Sequence, residues 1–274
     1  MRIPVRLLAV LGLLLILPLA GCNKLRARDE LNKGVRAYKN ANYEEAVDHF
    51  RRAIEYDPNL INARLYLATA YASQFTPGSP SEENLKNAEA AIAAFEDVLQ
   101  RQPDNVTALS YVASLYYGMA GGAQKQEERF QLFEKSKEYR RKLIAVDPNN
   151  PEHYYSIGVI DWTISYARNQ EARFKLGNLA ADKSLPPKDR RALAELNGPL
   201  VEEGQQMLEK ALAINPKYLD ALAYINLIWR QKADIVETPK EREEALDKAD
   251  EYFQRYDKLR QEIQTAPPTP APAE

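Results

Sequence analysis

The sequence is poor in the residues that most often carry chemistry. It holds one cysteine, Cys22, so no internal disulfide and no paired-cysteine metal site can form. Its two histidines, His49 and His153, stand far apart, and no helix-borne metalloprotease motif surrounds either. There is no glycine-rich phosphate loop, and nothing in the residue order points to a Ser-His-Asp arrangement. A surplus of charge of one sign is also missing. The chain has 37 basic and 39 acidic residues, so a phosphate backbone finds no cationic excess and nucleic acid is a poor partner. The carboxylates lie among lysines and arginines, which is the composition of solvated helical faces. What remains is ordinary for a protein with a sizeable core, at 45% hydrophobic and 28% charged residues. A chain of 274 residues can hold itself together by packing alone. These absences predict no metal, no cofactor and no enzyme.

The N-terminus is a separate signal. Arg2 and Arg6 precede an apolar run from Leu7 to Leu19 that only Pro18 interrupts. That run is short for a membrane span and has the length of a leader's apolar region. It ends Leu19-Ala20-Gly21-Cys22, which resembles the lipobox of bacterial lipoproteins. The resemblance implies cleavage before Cys22, a diacylglycerol on its sulfur and a further acyl chain on its new amino group. Two or more chains anchor stably where one does not. Residues 1–21 are thus expected as a leader and 22–26 as a lipidated start with a short linker. By the same resemblance Asn23 favours the outer membrane of a diderm host, facing the periplasm. Taking Arg2 and Arg6 from the 37 basic residues leaves 35 against 39 acidic ones, a charge of −4.

Internal periodicity dominates the rest. Four amphipathic stretches end alike, at Asp57-Pro58-Asn59, Gln102-Pro103-Asp104, Asp147-Pro148-Asn149 and Asn215-Pro216-Lys217. Pro58, Pro103 and Pro148 are 45 residues apart, and Pro216 follows 68 later. Each proline stops one helix and sets the turn into the next. Reading back from Pro58 gives Gly34, Ala37 and Tyr38, then Tyr43, Ala46, Phe50 and Ala53. This unit resembles a tetratricopeptide repeat, whose length is about 34 residues. Small residues let paired helices approach and aromatics fill between them. Glu30 and Lys33 depart from the pattern and are expected on a solvated cap.

Later units carry Ala68, Tyr71, Ala91 and Phe95, then Leu109, Val112, Tyr116 and Leu143, then Leu222, Trp229, Ala249 and Phe253. Each holds 11 residues more than the standard repeat, about three helical turns. Longer helices in both halves of each pair would absorb them. Thr76 to Pro80, Gly121-Gly122 and Thr238-Pro239 read as breaks or starts, with Thr238 a helix N-cap. Arg140 replaces an aromatic in the third unit. The fourth unit holds a larger insert over about 167–200, read as a longer first helix, a short helix over Lys188–Leu196, and a break at Asn197-Gly198-Pro199. Asp161 stands where other units have Tyr71, Tyr116 or Trp229, and a rotation that packs Trp162 instead is expected. The fold is therefore expected to be all-α, a right-handed superhelical solenoid of about five enlarged helix-turn-helix units near 27–60, 61–105, 106–150, 151–218 and 219–264. The Pro- and Ala-rich stretch 265–274 reads as a disordered tail.

The resemblance also implies where a protein partner binds, in a groove lined by first helices. The positions one step off the packing face are Tyr38, Lys39, Asn62, Thr69, Tyr117, Tyr155, Trp162, Arg230 and Gln231. Aromatics there bury ligand area and Arg230 suits a carboxylate. Leu31 and Val35 fill two positions of the clamp with which chaperone-adaptor repeats hold C-terminal peptides, so such peptides do not fit. The reading is a scaffold for envelope or outer-membrane proteins. The alternative is a periplasmic enzyme-associated or small-ligand or peptidoglycan binder that uses the groove or the insert; residues converging on His153 would favour it.

Overall fold

A computed structural model describes residues 5–265, with side chains from residue 22 onward. The described residues form ten α-helices and no strand. They run α1 Val5–Lys39, α2 Tyr43–Tyr56, α3 Ile61–Ala72, α4 Glu82–Arg101, α5 Val106–Gly122, α6 Gln126–Val146, α7 Pro151–Lys175, α8 Pro187–Ile214, α9 Leu219–Ala233 and α10 Pro239–Thr265. Residues 1–4 of the expected leader and 266–274 of the expected tail lie outside the described residues. Thr265 closes α10, and 22–26 continue α1 as helix.

The prolines set the hairpins. Helices α2, α4, α6 and α8 each end two residues before Pro58, Pro103, Pro148 and Pro216. The residue ahead of a proline is biased out of the helical region, which favours a stop there. Each following helix begins three residues after its proline. Asn105 and Asn150 cap two of these starts by accepting from the amides of Ala108 and Glu152. Thr238 closes a capping box with Glu241, whose amide donates to Thr238 Oγ1 while Glu241 Oε2 accepts from the Thr238 amide.

The chain divides into two compact units, residues 1–139 and 140–274. In the N-terminal unit α1 packs on α2 and α3 on α4. Phe50 and Phe95 are fully buried and each stacks on a tyrosine of the next helix, Tyr66 at 5.5 Å and Tyr111 at 4.8 Å. In the C-terminal unit α7 packs on α8 and α9 on α10, around Leu208, Leu222, Ile225 and Ile228. Gly158 lets α8 approach α7, because a β-carbon there would meet Leu208 Cγ at 2.5 Å.

Several expectations change. The extra residues do not lengthen both helices of every pair. Helix α3 has 12 residues while α4 has 20, and α9 has 15 while α10 has 27. Gly78 at φ +80°, next to Pro77, keeps the chain out of helix after Ala72, so the excess becomes loop and second helix. Gly121 and Gly122 are the last residues of α5, not a break. A β-carbon on Gly122 would lie 3.1 Å from the carbonyl oxygens of Gly78 and Ser79, so these glycines make room for the loop.

Asn197-Gly198-Pro199 does not break the fourth hairpin, since α8 runs through it and the expected short helix is its first half. Pro199 removes one helical hydrogen bond, a loss of about 3 kcal/mol. Burial of Leu193 and Val201 on either side returns roughly 1.5–3 kcal/mol each. Asn197 Nδ2 also donates to the Ser165 carbonyl at 2.8 Å, and Arg168 Nη1 to the Leu196 carbonyl at 2.9 Å.

Asp161 is fully buried, while Trp162 stays partly exposed, so the rotation does not take place. The carboxylate side chain fits because Gly204 faces it; a β-carbon on Gly204 would meet Asp161 Cβ at 3.2 Å. Glu30 is buried rather than solvated, held by Lys33 Nζ at 2.8 Å and His49 Nδ1 at 2.7 Å. His49 is partly buried, with Nδ1 within hydrogen-bond distance of Glu30 Oε2.

Candidate functional site

The aromatic residues of the C-terminal unit gather on its first helices. On α7, Tyr155, Trp162 and Tyr166 are spaced by seven and four, which puts them on one face. Tyr224 of α9 faces them, and Tyr218 stands at the N-cap of α9. Tyr155 lies 4.9 Å from Tyr218 and 5.7 Å, edge-on, from Tyr224. Tyr224 meets Trp162 edge-on at 5.2 Å, and Trp162 stacks on Tyr166 at 5.1 Å. The result is a continuous ladder of five rings, most of them half-buried, ending on Tyr166 at 41% exposure. Burial, and then the hydrogen bond that Tyr218 donates to Glu152, hold the Tyr218 hydroxyl protonated well above its ordinary range.

At the Tyr166 end a recess of about 500 Å3 opens, lined by Trp162, Tyr166 and Gln170 of α7, Leu227 and Arg230 of α9, Leu246 of α10, and Ala181 and Asp182 of the loop between α7 and α8. Groove positions and the insert thus line one space. Arg230 donates to Asn226 Oδ1 at 3.0 Å and to Asp250 Oδ1 at 2.8 Å, which fixes its guanidinium.

A buried polar network supports the recess. Arg173 donates through Nε to Asn169 Oδ1 at 2.8 Å and through Nη1 to the carbonyls of Ala180 at 2.7 Å and Lys183 at 3.1 Å. Its Nη2 lies 2.8 Å from Asp234 Oδ1. Asn169 Nδ2 donates to Gln231 Oε1 at 3.0 Å and Asp234 Oδ2 at 2.7 Å. A buried charge pair is better tolerated when neighbouring groups are hydrogen-bonded, as Nε, Nη1 and Asp234 Oδ2 are here. The network fixes the insert loop to α7 and α9. Gln231 is consequently buried, and its side-chain oxygen already accepts from Asn169.

The nine residues predicted for partner contact fall into two sets. Tyr155, Trp162, Arg230 and Gln231 belong to the C-terminal unit, and the last three line the recess. In the N-terminal unit, Asn62 and Thr69 line a smaller recess of about 280 Å3 with Leu65, Tyr66 and Thr107. Thr69 turns its hydroxyl back to the Leu65 carbonyl at 2.8 Å. Tyr38 shares a hydrogen bond of 2.9 Å with Ser73, Lys39 is exposed, and Tyr117, 40% exposed, rests on Phe133 at 5.4 Å. Sequence reasoning missed Tyr166, Tyr218 and Tyr224. The first was legible as the residue one turn beyond Trp162.

Another recess, about 630 Å3, opens between α9 and α10 with a rim of Glu241, Glu244, Lys248 and Glu251, and contains none of the predicted contact residues. His153 is buried with Nε2 3.3 Å from Asp147 Oδ2. The insert loop is held at Arg173, twenty residues and about 30 Å farther along α7, so the insert does not converge on His153. Among the described residues no group of His, Cys, Asp and Glu could hold a metal ion, and no helix is long and apolar enough to cross a membrane.

Comparison with known proteins agrees with the helical hairpins. Residues 30–60 match the tetratricopeptide repeat model. No curated protein sequence matches the chain. Among solved structures, a crystal structure of MamA protein is similar over 90% of this chain and 98% of its own, with TM-score 0.56 at 13% identity. The MamA RS-1 ArsTM double mutant gives TM-score 0.55 at 15% identity, over 88% of this chain and 98% of its own. MamA 41-end from Desulfovibrio magneticus RS-1 gives 0.53 at 15%, with the same shares. At these identities the likeness concerns the fold, which is that of tetratricopeptide-type helical hairpins.

Proposed function

We propose that this chain is a protein-binding scaffold of the bacterial cell envelope, acylated on Cys22 and held at a membrane surface outside the cytoplasm. The fold supports the first part, since stacked hairpins present a row of first-helix side chains to a partner. The observation that carries the reading is the recess where Trp162, Tyr166 and Arg230 meet the insert loop. Rings with little rotamer freedom beside a guanidinium form the composition of an interface hot spot. The lipobox-like end of the leader and the exposure of Cys22 support the anchor, and Asn23 supports the outer membrane in a diderm host.

The test is capture of membrane proteins from detergent extracts by the acylated chain and by a Tyr166→Ala, Arg230→Ala variant. Both side chains are exposed enough that folding stability should change by less than about 1 kcal/mol. A protein retained by the parent and lost by the variant supports the reading. Equal retention would show that the partner binds elsewhere. Cys22→Ser should move the chain from the membrane to the soluble fraction; persistence at the membrane would remove the lipid anchor.

A further inference from the structure

The first packed residue of α1 is Ala27; Cys22 to Arg26 ahead of it are all exposed, so this part of the helix stands clear of the hairpin. It is cationic. Lys24, Arg26 and Arg28 lie within two turns of Cys22, are all exposed, and form no ion pair among the described residues. The nearest carboxylate in sequence, Asp29, pairs with Lys33 at 2.7 Å. Elsewhere Lys86 pairs with Glu82 and Lys175 with Glu171 at i,i+4. Two apolar groups accompany the cations. Leu25 is 72% exposed, and Tyr56, 38% exposed at the end of α2, lies under Arg26 with 5.9 Å from guanidinium to ring centre. Glu55 and Asp57 at the same end form no ion pair with the three cations.

Unpaired Lys and Arg with a Leu and a Tyr is the composition that settles at a lipid headgroup layer, with cations on phosphates and the Tyr ring at the interface. We infer that the base of α1, with Tyr56, is a second membrane contact: a cationic collar that binds anionic phospholipid headgroups beside the acylated cysteine. This rests on the anchor proposed above, which brings the collar to the headgroups. Its effect is to hold the first hairpin end-on to the bilayer instead of leaving it free to swing on its acyl chains. Each cation near an anionic surface adds about 1 kcal/mol, or roughly fivefold in binding, and the gain falls off within a Debye length.

The experiment uses the full acylated chain in vesicles of phosphatidylcholine alone or with added phosphatidylglycerol. Flotation with the phosphatidylcholine vesicles reports the anchor. Trypsin cleavage after Lys24, Arg26 and Arg28 reports the collar. The expected result is flotation with both vesicles and cleavage slowed at least fivefold with phosphatidylglycerol at low salt, with the difference erased at high salt. Equal cleavage rates on the two vesicles overturn the collar and leave the anchor standing. Flotation only with phosphatidylglycerol, lost in salt, supports the collar and overturns the anchor. Flotation with neither overturns both.

Discussion

Leu208 of α8 sits directly on Gly158 of α7. A β-carbon on the glycine would approach Leu208 Cγ to 2.5 Å and both its methyls to 3.0 Å. The contact sets how closely the fourth hairpin closes, because Leu208 is fully buried and its branch point cannot swing aside.

Gly158→Ala tests this. Alanine in a helix interior is ordinarily worth about 1 kcal/mol over glycine. Overpacking a filled core costs roughly 1–3 kcal/mol. The second effect should win, and urea denaturation should show a net loss of about 1–2 kcal/mol. No loss at Gly158→Ala would show that the fourth hairpin can open to admit a methyl group.

The helix ends were legible because each depends on one local event, a proline with its neighbours. Burial was less so. Ala46 with Phe50, Ala91 with Phe95 and Ala249 with Phe253 read alike, yet Phe50 and Phe95 are fully buried while Phe253 is 49% exposed. The difference is tertiary. Phe50 and Phe95 lie under Tyr66 and Tyr111, and no helix follows α10 among the described residues. The residues around Phe253 do carry the signal. Asp250 stands where Val47 and Ile92 are apolar, and Tyr256 where Ala53 and Val98 are buried. The recess was half legible. Trp162 and Arg230 followed from their place one step off the packing face. The Arg173 network did not, because it joins residues about 60 apart through a loop whose path no local rule predicts.

Arg173→Met should uncouple that loop. It leaves Asp234 largely buried without its closest cation and frees the carbonyls of Ala180 and Lys183. Breaking one side of a buried pair costs about 3–5 kcal/mol. The readout that separates loop release from general loss is trypsin cleavage at Lys183, which should rise more than cleavage at sites in the N-terminal unit. Adding Asp234→Leu should recover part of the stability by removing the stranded carboxylate. No recovery would mean that Asn169 and Arg242, 4.0 Å from Asp234 Oδ1, hold the carboxylate well enough without Arg173.

The Glu30 cluster gives a pH dependence with a definite sign. Its hydrogen bond from Lys33, and next that from His49, hold the Glu30 carboxyl below the ordinary 4.5, against an opposing push from burial. A carboxyl lowered in the folded chain stabilises it fully above the unfolded value. That contribution is lost as pH falls through the lower, folded value. Glu30→Gln lacks it at every pH. The stability difference between parent and variant should therefore shrink as pH falls below about 4.5. Urea midpoints at pH 5 and pH 3 measure it. A difference that widens between them would reverse the assignment.

Pro199 offers the opposite experiment, a substitution that should stabilise. It lies inside α8 and supplies no N–H for the Glu195 carbonyl. Alanine would return that hydrogen bond and relieve the contact of the proline ring with the preceding turn. Proline in a helix interior is about 3 kcal/mol worse than alanine, and part of that returns because alanine gives the unfolded chain more freedom. Pro199→Ala should therefore raise stability by about 1–2 kcal/mol in urea denaturation. A loss would mean that α8 needs the geometry that the proline imposes beside Asn197. The Asn197 bond to the Ser165 carbonyl and the Arg168 bond to the Leu196 carbonyl would then depend on it. Combining Pro199→Ala with Asn197→Ala separates these outcomes. If the helix gains only its missing hydrogen bond, Pro199→Ala stabilises equally with Asn or Ala at position 197; if the proline aims Asn197, the loss on Pro199→Ala appears only while Asn197 is present.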